Sequence, residues 1–96
     1  MTYSMYRTRD GAGDSGTMSM ALWPKPEGGY PNTEDNARPR VGVAMRVGSI
    51  CARTFSYQDW WQTTLITEIL EDRVEEDESE YVRFKTGNSE YEWRKF

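Results

Sequence analysis

The stretch that decides the fold reads Tyr81-Val82-Arg83-Phe84-Lys85-Thr86-Gly87-Asn88-Ser89-Glu90-Tyr91-Glu92-Trp93. Its centre, Gly87-Asn88, predicts a two-residue hairpin turn, because both residues tolerate the positive φ angles that such turns need. Counting outward from the turn gives the cross-strand pairs Thr86–Ser89, Lys85–Glu90, Phe84–Tyr91, Arg83–Glu92 and Val82–Trp93. One face of this hairpin is apolar and the other carries two pairs of opposite charge. Turn chemistry, apolar pairing and charge pairing therefore agree on one antiparallel register.

Two further strands are predicted before this hairpin. From Val41 to Val47 apolar residues alternate with small or charged ones, which is the period of a half-buried strand. The parity of the apolar residues changes after Gly48, as it does at a β-bulge. Residues 63–70 are rich in β-branched side chains and favour a strand, although their four aliphatic residues also fit the spacing of a helix. The predicted order is then strand 41–54, strand 63–70, acidic turn 71–80, strand 81–86 and strand 90–95.

The first forty residues are predicted to form a loop-rich arm. All four prolines and five of the eight glycines lie there, and residues 24–40 show no apolar period. Two alternating segments, 2–8 and 17–23, predict an edge hairpin. The intervening glycines of residues 11–16 match G-x-G-x-x-G, but the surrounding pattern is not that of a strand followed by a helix. This segment is therefore interpreted as a flexible turn.

The 96 residues predict a single all-β domain. Residues 41–96 are expected to form a small antiparallel meander that closes into an SH3-like barrel or curls into a half-barrel of four to six strands. Residues 1–40 are expected to precede it as a long irregular N-terminal loop. Only 36% of the residues are hydrophobic and the mean hydropathy is -0.87, so aromatic residues must supply much of the core.

The composition argues against an enzyme. There is no histidine and only one cysteine, which excludes Ser-His-Asp and Cys-His nucleophile systems, histidine-bound metals and an intramolecular disulfide. A pair of carboxylates, Asp59 and Glu68, would need a strongly shifted pKa to act as a general base near pH 7. We therefore expect no catalytic residue, no metal and no cofactor. Cys51 lies between apolar neighbours and is expected to be a small buried side chain.

An aromatic cluster between two predicted strands is the first candidate site. Residues 55–61 contain four aromatic side chains, and adjacent residues of a strand point to opposite faces. We expect one of Trp60 and Trp61 to enter the core and the other to be partly exposed. An exposed tryptophan can anchor a protein interface or stack a base, while the alternative is that both rings supply core area. The residues assigned to binding are Tyr57, Trp60, Trp61, Arg53 and Arg46.

The acidic run 71–80 is the second candidate site. It holds seven acidic residues and one basic residue within a chain of net charge -4. Its centre, Glu75, Glu76, Asp77 and Glu78, is expected to dock onto a basic protein surface, or simply to form a solvated turn. The alternating ligands of a calcium loop are missing from this run. Since the chain has no basic stripe, general binding of duplex DNA is disfavoured.

Two segments resemble short uncharacterised proteins of bacteriophages and prophages. They are Thr63-Thr64-Leu65-Ile66-Thr67-Glu68-Ile69-Leu70 and Val82-Arg83-Phe84-Lys85-Thr86-Gly87-Asn88-Ser89-Glu90-Tyr91. The resemblance covers residues 60–93, where those proteins have a similar strand, acidic turn and hairpin. It implies a phage origin and a β-rich fold, and it implies no activity.

The function predicted from these features is a non-catalytic interaction module that binds a host protein through the aromatic anchor and the acidic turn. One alternative is a binder of nucleotides or single-stranded nucleic acid, with Arg46 and Arg53 holding phosphate. Another is a small assembly protein that forms a homo-oligomer through its edge strands. No apolar run approaches the roughly 18 residues of a membrane span, so we expect no membrane partner and a cytoplasmic location.

Overall fold

The computed structural model describes residues 1–25, 27–29, 32–49 and 60–96 of the chain. These residues form nine strands in two antiparallel sheets, and this part of the chain contains no helix. The strands are β1 (Tyr3–Arg7), β2 (Gly13–Gly16), β3 (Met18–Trp23), β4 (Asn32–Asp35), β5 (Ala44–Gly48), β6 (Trp60–Gln62), β7 (Ile66–Val74), β8 (Glu80–Thr86) and β9 (Glu90–Lys95). The predicted all-β, antiparallel fold class is confirmed, with more strands than the four to six expected.

The first sheet has the strand order β2-β1-β9-β8-β7 and contains the C-terminal hairpin. The predicted register of the hairpin is confirmed, with Val82 opposite Trp93 and Phe84 opposite Tyr91. Neither turn residue has a positive φ angle, however. The turn is closed by Thr86 instead, whose Oγ1 accepts hydrogen bonds from the backbone N–H groups of Asn88 and Ser89 at 3.4 and 3.2 Å.

The second sheet has the order β4-β3-β5-β6 and contains part of the predicted strand 41–54. Strand β5 begins only at Ala44, and Val41 is exposed. Met45 and Val47 are fully buried, as the alternating pattern indicated. The predicted bulge after Gly48 and the burial of Cys51 both fall on residues 50–59, which lie outside the described residues.

Three details of the predicted order are corrected by the structure. Strand β1 pairs with β9 and with β2, so the edge hairpin between 2–8 and 17–23 does not form. The strand predicted over residues 63–70 is confirmed from Ile66 onward, but β7 continues to Val74, which shortens the acidic turn. Residues 24–40 contain the short exposed strand β4.

The glycine-rich segment 11–16 is an edge strand rather than a turn for most of its length. A Cβ atom on Gly13 would lie 1.9 Å from the carbonyl oxygen of Met5, and one on Gly16 would lie 2.2 Å from that of Gly48. These two glycines therefore allow β2 to approach both β1 and β5. The glycines at positions 13 and 16 are therefore explained by close packing of the backbone rather than by binding of a phosphate group.

The two sheets are joined at corners where one chain segment runs from one sheet into the other. Only Thr17 separates β2 from β3, and residues 63–65 separate β6 from β7. At the second corner, the backbone N–H of Thr63 donates to the carbonyl of Met45 at 2.9 Å, and that of Ile66 donates to Val43 at 2.8 Å. The side of β5 that pairs with β6 is thus followed, just before β5 begins, by a hydrogen bond from the start of β7 to Val43.

One apolar core lies between the sheets. It contains two aromatic pairs, Tyr3 with Trp93 at 5.8 Å between ring centroids and Phe84 with Tyr91 at 5.6 Å. The remaining buried members of this cluster are Met5, Ala21, Ala37, Val43, Met45, Val47, Ile66 and Val82. Aromatic rings thus supply much of a core that has few aliphatic residues.

Candidate functional site

Trp60 and Trp61 lie on opposite faces of the second sheet. Trp61 is opposite Val47, which is fully buried, and packs against the core. Its indole Nε1–H donates to the hydroxyl of Tyr91 at 3.3 Å, and the guanidinium of Arg7 lies 5.3 Å from its ring centroid. Trp60 is opposite Gly48 and lies half-buried on the face away from the core. The aromatic candidate for binding is therefore Trp60.

Arg46 lies directly against Trp60. The Cζ atom of Arg46 is 4.0 Å from the ring centroid of Trp60, at the distance of a cation–π contact. Arg46 is opposite Gln62 on one side and Met20 on the other, so these residues share a face with Trp60. We call Met20, Arg46, Trp60 and Gln62 the Trp60 patch, and all four side chains are half-buried.

The guanidinium of Arg46 is held in place by Gln62. Nε and Nη2 of Arg46 both donate to Oε1 of Gln62, at 3.1 and 2.7 Å. Partial burial lowers the pKa of Arg46, although a guanidinium stays charged at any ordinary pH. The sequence identified both Arg46 and Trp60, and the register of β5 against β6 brings them together.

Two further arginine–tryptophan contacts were not predicted from the sequence. Besides Arg7 on Trp61, the Cζ atom of Arg40 lies 4.6 Å from the ring centroid of Trp23. Neither contact joins residues that are close in the chain, so no local pattern could have indicated them. Each half-buried tryptophan of the described residues therefore has an arginine against its ring.

The acidic turn is a tight loop at the end of the β7–β8 hairpin. The backbone N–H of Glu75 donates to the carbonyl of Ser79 at 2.7 Å, and Glu78 has a φ angle of 70°. Hydrogen bonds from the hydroxyl and N–H of Ser79 lower the pKa of Asp77. Glu75 accepts a hydrogen bond from Arg73 at 2.6 Å, which leaves the exposed carboxylates of Glu76, Asp77 and Glu78 as the outward charge.

A cleft of about 400 Å³ adjoins this turn. Asp77 and Glu78 line one side, and the exposed side chains of Met1 and Phe96 line another, together with Lys95. The surroundings of the acidic turn are therefore partly apolar.

The structure does not bring the acidic turn and the aromatic anchor together. Glu80, at the turn, is opposite Lys95, whereas Trp61 reaches Tyr91. Lys95 and Tyr91 are four residues apart in β9, which is about 14 Å at the rise of about 3.4 Å per residue in an antiparallel strand. The other predicted binding residues, Tyr57 and Arg53, lie outside the described residues.

Other kinds of site receive no support from the ranges that the structure covers. Within them, no group of three or more acidic or cysteine side chains is placed to hold a metal ion. The same ranges contain no helix that is both long and apolar enough to span a membrane. Of the carboxylate pair considered from the sequence, Asp59 is outside these ranges and Glu68 faces Lys85 across the sheet.

Comparison with known proteins does not add a family to these observations. No protein-family model matches the chain, and no curated protein or solved structure matches it either.

Proposed function

We propose that this chain is a non-catalytic interaction module that binds a protein partner with Trp60 as its anchor. The observation that carries this proposal is the position of Trp60, which is half-buried on the sheet face away from the core and lies against Arg46. Tryptophan, arginine and methionine are enriched in the cores of protein interfaces, and the Trp60 patch contains all three. Truncation of such an anchor often costs about 2 kcal/mol or more of binding free energy.

The acidic turn is the second contact in this proposal. Its exposed carboxylates, Glu76, Asp77 and Glu78, would attract a basic surface of the partner and speed association. Because exposed charges are screened by salt, association should slow as ionic strength rises. We place the module in the cytoplasm, which is the cytoplasm of the bacterial host if a phage encodes the chain.

The test is capture of the partner from a nuclease-treated bacterial lysate by the tagged protein. We expect one protein at near-equal stoichiometry with the wild type, and its loss with Trp60→Ala. The matched control is Tyr6→Ala, which removes an exposed aromatic ring from the outer face of the other sheet. Circular dichroism establishes that each variant is folded. Retention of the partner by folded Trp60→Ala would overturn the proposal.

A second candidate function is the binding of single-stranded nucleic acid. The contact between Arg46 and the Trp60 ring favours it, because an arginine beside an aromatic ring can hold a phosphate next to a stacked base. A short poly-dT oligonucleotide would then quench tryptophan fluorescence in the wild type and not in Trp60→Ala. No quenching is expected if the partner is a protein.

A further inference from the structure

Arg46 differs from the other described arginines that lie against an aromatic ring. Each of those others also has a carboxylate within 4.0 Å, and the pairs are Arg7–Asp10, Arg40–Glu34, Arg73–Glu75 and Arg94–Glu92. Across the described ranges, no carboxylate lies within that distance of Arg46, whose contacts there are a neutral ring and a neutral amide. Within these ranges, its half-buried positive charge has no counter-charge of the kind that the other four arginines have.

Among the residues that the structure describes, the hydrogen bonds of Arg46 occupy only one edge of its guanidinium. A guanidinium has five N–H donors, and Oε1 of Gln62 accepts from the edge formed by Nε and Nη2. The other N–H groups of Nη1 and Nη2 form a second fork. The spacing of such a fork matches the two oxygens of a carboxylate, which it binds in a bidentate manner.

We infer that the protein partner presents an aspartate or glutamate side chain to Arg46, beside the apolar surface of Trp60. This inference rests on the proposed function and names the chemistry that the same patch recognises. The guanidinium is already oriented by Gln62 and by the Trp60 ring, so little side-chain entropy is lost when the carboxylate binds.

A single carboxylate fits this site better than a nucleic-acid backbone. Binding to a phosphate backbone depends on several cations that neutralise successive phosphates. Across the second sheet, the residues paired in line with Arg46 are Met20, Gln62 and Asp35, so the other charged residue of this line is acidic. The chain as a whole has a net charge of -4. The negative charge of the chain would repel a polyanion, whereas a single carboxylate can still pair with Arg46.

The direct test is a titration followed by NMR of the arginine Nε–H and tryptophan indole N–H groups. The probe is N-acetyl-glutamic acid α-amide, with N-acetyl-glutamine α-amide as the neutral control at the same ionic strength. We expect the resonances of Arg46 and Trp60 to shift and saturate with the glutamate probe only. Arg40 is the internal control, because it already has Glu34 as its partner and should not respond.

Three results would overturn the inference. The first is the absence of a saturable shift at Arg46, and the second is an equal shift with the glutamine control. The third is tighter binding of inorganic phosphate than of the glutamate probe, which would favour the nucleic-acid candidate.

Two variants separate this inference from the proposed function. Arg46→Gln keeps an aliphatic stem on Trp60 and should weaken binding of the captured partner roughly thirtyfold, as expected when one member of a buried charge pair is removed. Arg40→Gln, which alters the Arg40–Trp23 contact, should bind the partner like the wild type. If Arg46→Gln retains the partner and Trp60→Ala loses it, the inference is wrong and the proposed function stands. If Trp60→Ala retains the partner, the proposed function is wrong, and the titration still decides whether Arg46 binds a carboxylate.

Discussion

The indole Nε1–H of Trp93 donates a hydrogen bond of 2.9 Å to Oγ of Ser19, which is 74 residues away in the chain. This bond joins β9 of the first sheet to β3 of the second through the core. The Ser19 hydroxyl in turn donates to the carbonyl oxygen of Ala37 at 2.9 Å. All three residues are buried, so the hydroxyl satisfies two polar groups that water cannot reach.

Replacing Ser19 should therefore destabilise the protein. Ser19→Ala leaves the Trp93 N–H without its acceptor, and we expect the free energy of unfolding to fall by about 1–3 kcal/mol. Urea denaturation followed by tryptophan fluorescence measures this loss. The control is Thr33→Ala in the exposed strand β4, which should change stability by less than about 0.5 kcal/mol. Equal effects of the two variants would show that the hydrogen bonds of the Ser19 hydroxyl add nothing to stability.

The glycines of β2 should be intolerant of even a methyl group. A Cβ atom at Gly13 or Gly16 would meet backbone oxygens at 1.9 and 2.2 Å, so strands must move apart to admit it. We expect Gly13→Ala and Gly16→Ala each to lower the free energy of unfolding by about 1–3 kcal/mol or more, measured by urea denaturation. Gly87→Ala is the matched control, since an added Cβ there meets no atom within 4 Å. Wild-type stability of Gly16→Ala would contradict the close approach of β2 to β5.

The parts of the fold that could be predicted are those whose signals lie close together in the chain. The C-terminal hairpin is one, because the turn and the cross-strand pairs all lie within sixteen residues. For strand β1 the predicted partner is wrong. One of its true partners, β9, lies more than eighty residues away with no local pattern to link the two, and the other, β2, lacks the apolar alternation of a strand. The glycines of β2 predict a turn, because the close approach to distant backbone that they allow leaves no sign in the local sequence.

The candidate site was predictable to a similar extent. The opposite orientation of Trp60 and Trp61 follows from strand geometry alone, and Arg46 was named beside them. Which ring faces outward depends on the pairing of β6 with β5, which the sequence does not reveal. The hydrogen bonds of Arg46 with Gln62 depend on the same register.

The carboxyl group of Asp10 should titrate well below its ordinary range. Hydrogen bonds from the Arg7 side chain, and then from the Ala12 N–H, lower its pKa from 3.8 to about 2. Because the pKa is lower in the folded state, the pair stabilises the fold above pH 3.8, and this contribution is lost as the pH falls toward about 2. The measurement is a ¹³C NMR titration of the Asp10 carboxyl group.

Variants of the two neighbouring arginines test the cause of this shift. Arg7→Gln should raise the pKa of Asp10 toward its ordinary value, since the largest contribution to the shift is removed. Arg9→Gln should leave the pKa near its wild-type value, because Arg9 contributes least among the causes of the shift. A similar response to both substitutions would show that general charge, rather than the hydrogen bonds of Arg7, lowers this pKa.

The two adjacent tryptophans should differ in what they contribute to stability. Trp61 packs against the core and donates to the Tyr91 hydroxyl, so Trp61→Ala removes buried apolar area together with a hydrogen bond. Trp60 lies on the opposite face, where its contact with Arg46 is worth about 0.5–1 kcal/mol. We expect Trp61→Ala to lower the free energy of unfolding by at least about 1 kcal/mol more than Trp60→Ala, measured by urea denaturation. If Trp60→Ala is the more damaging variant, Trp60 is a structural residue, and its loss of partner binding could not be assigned to the interface.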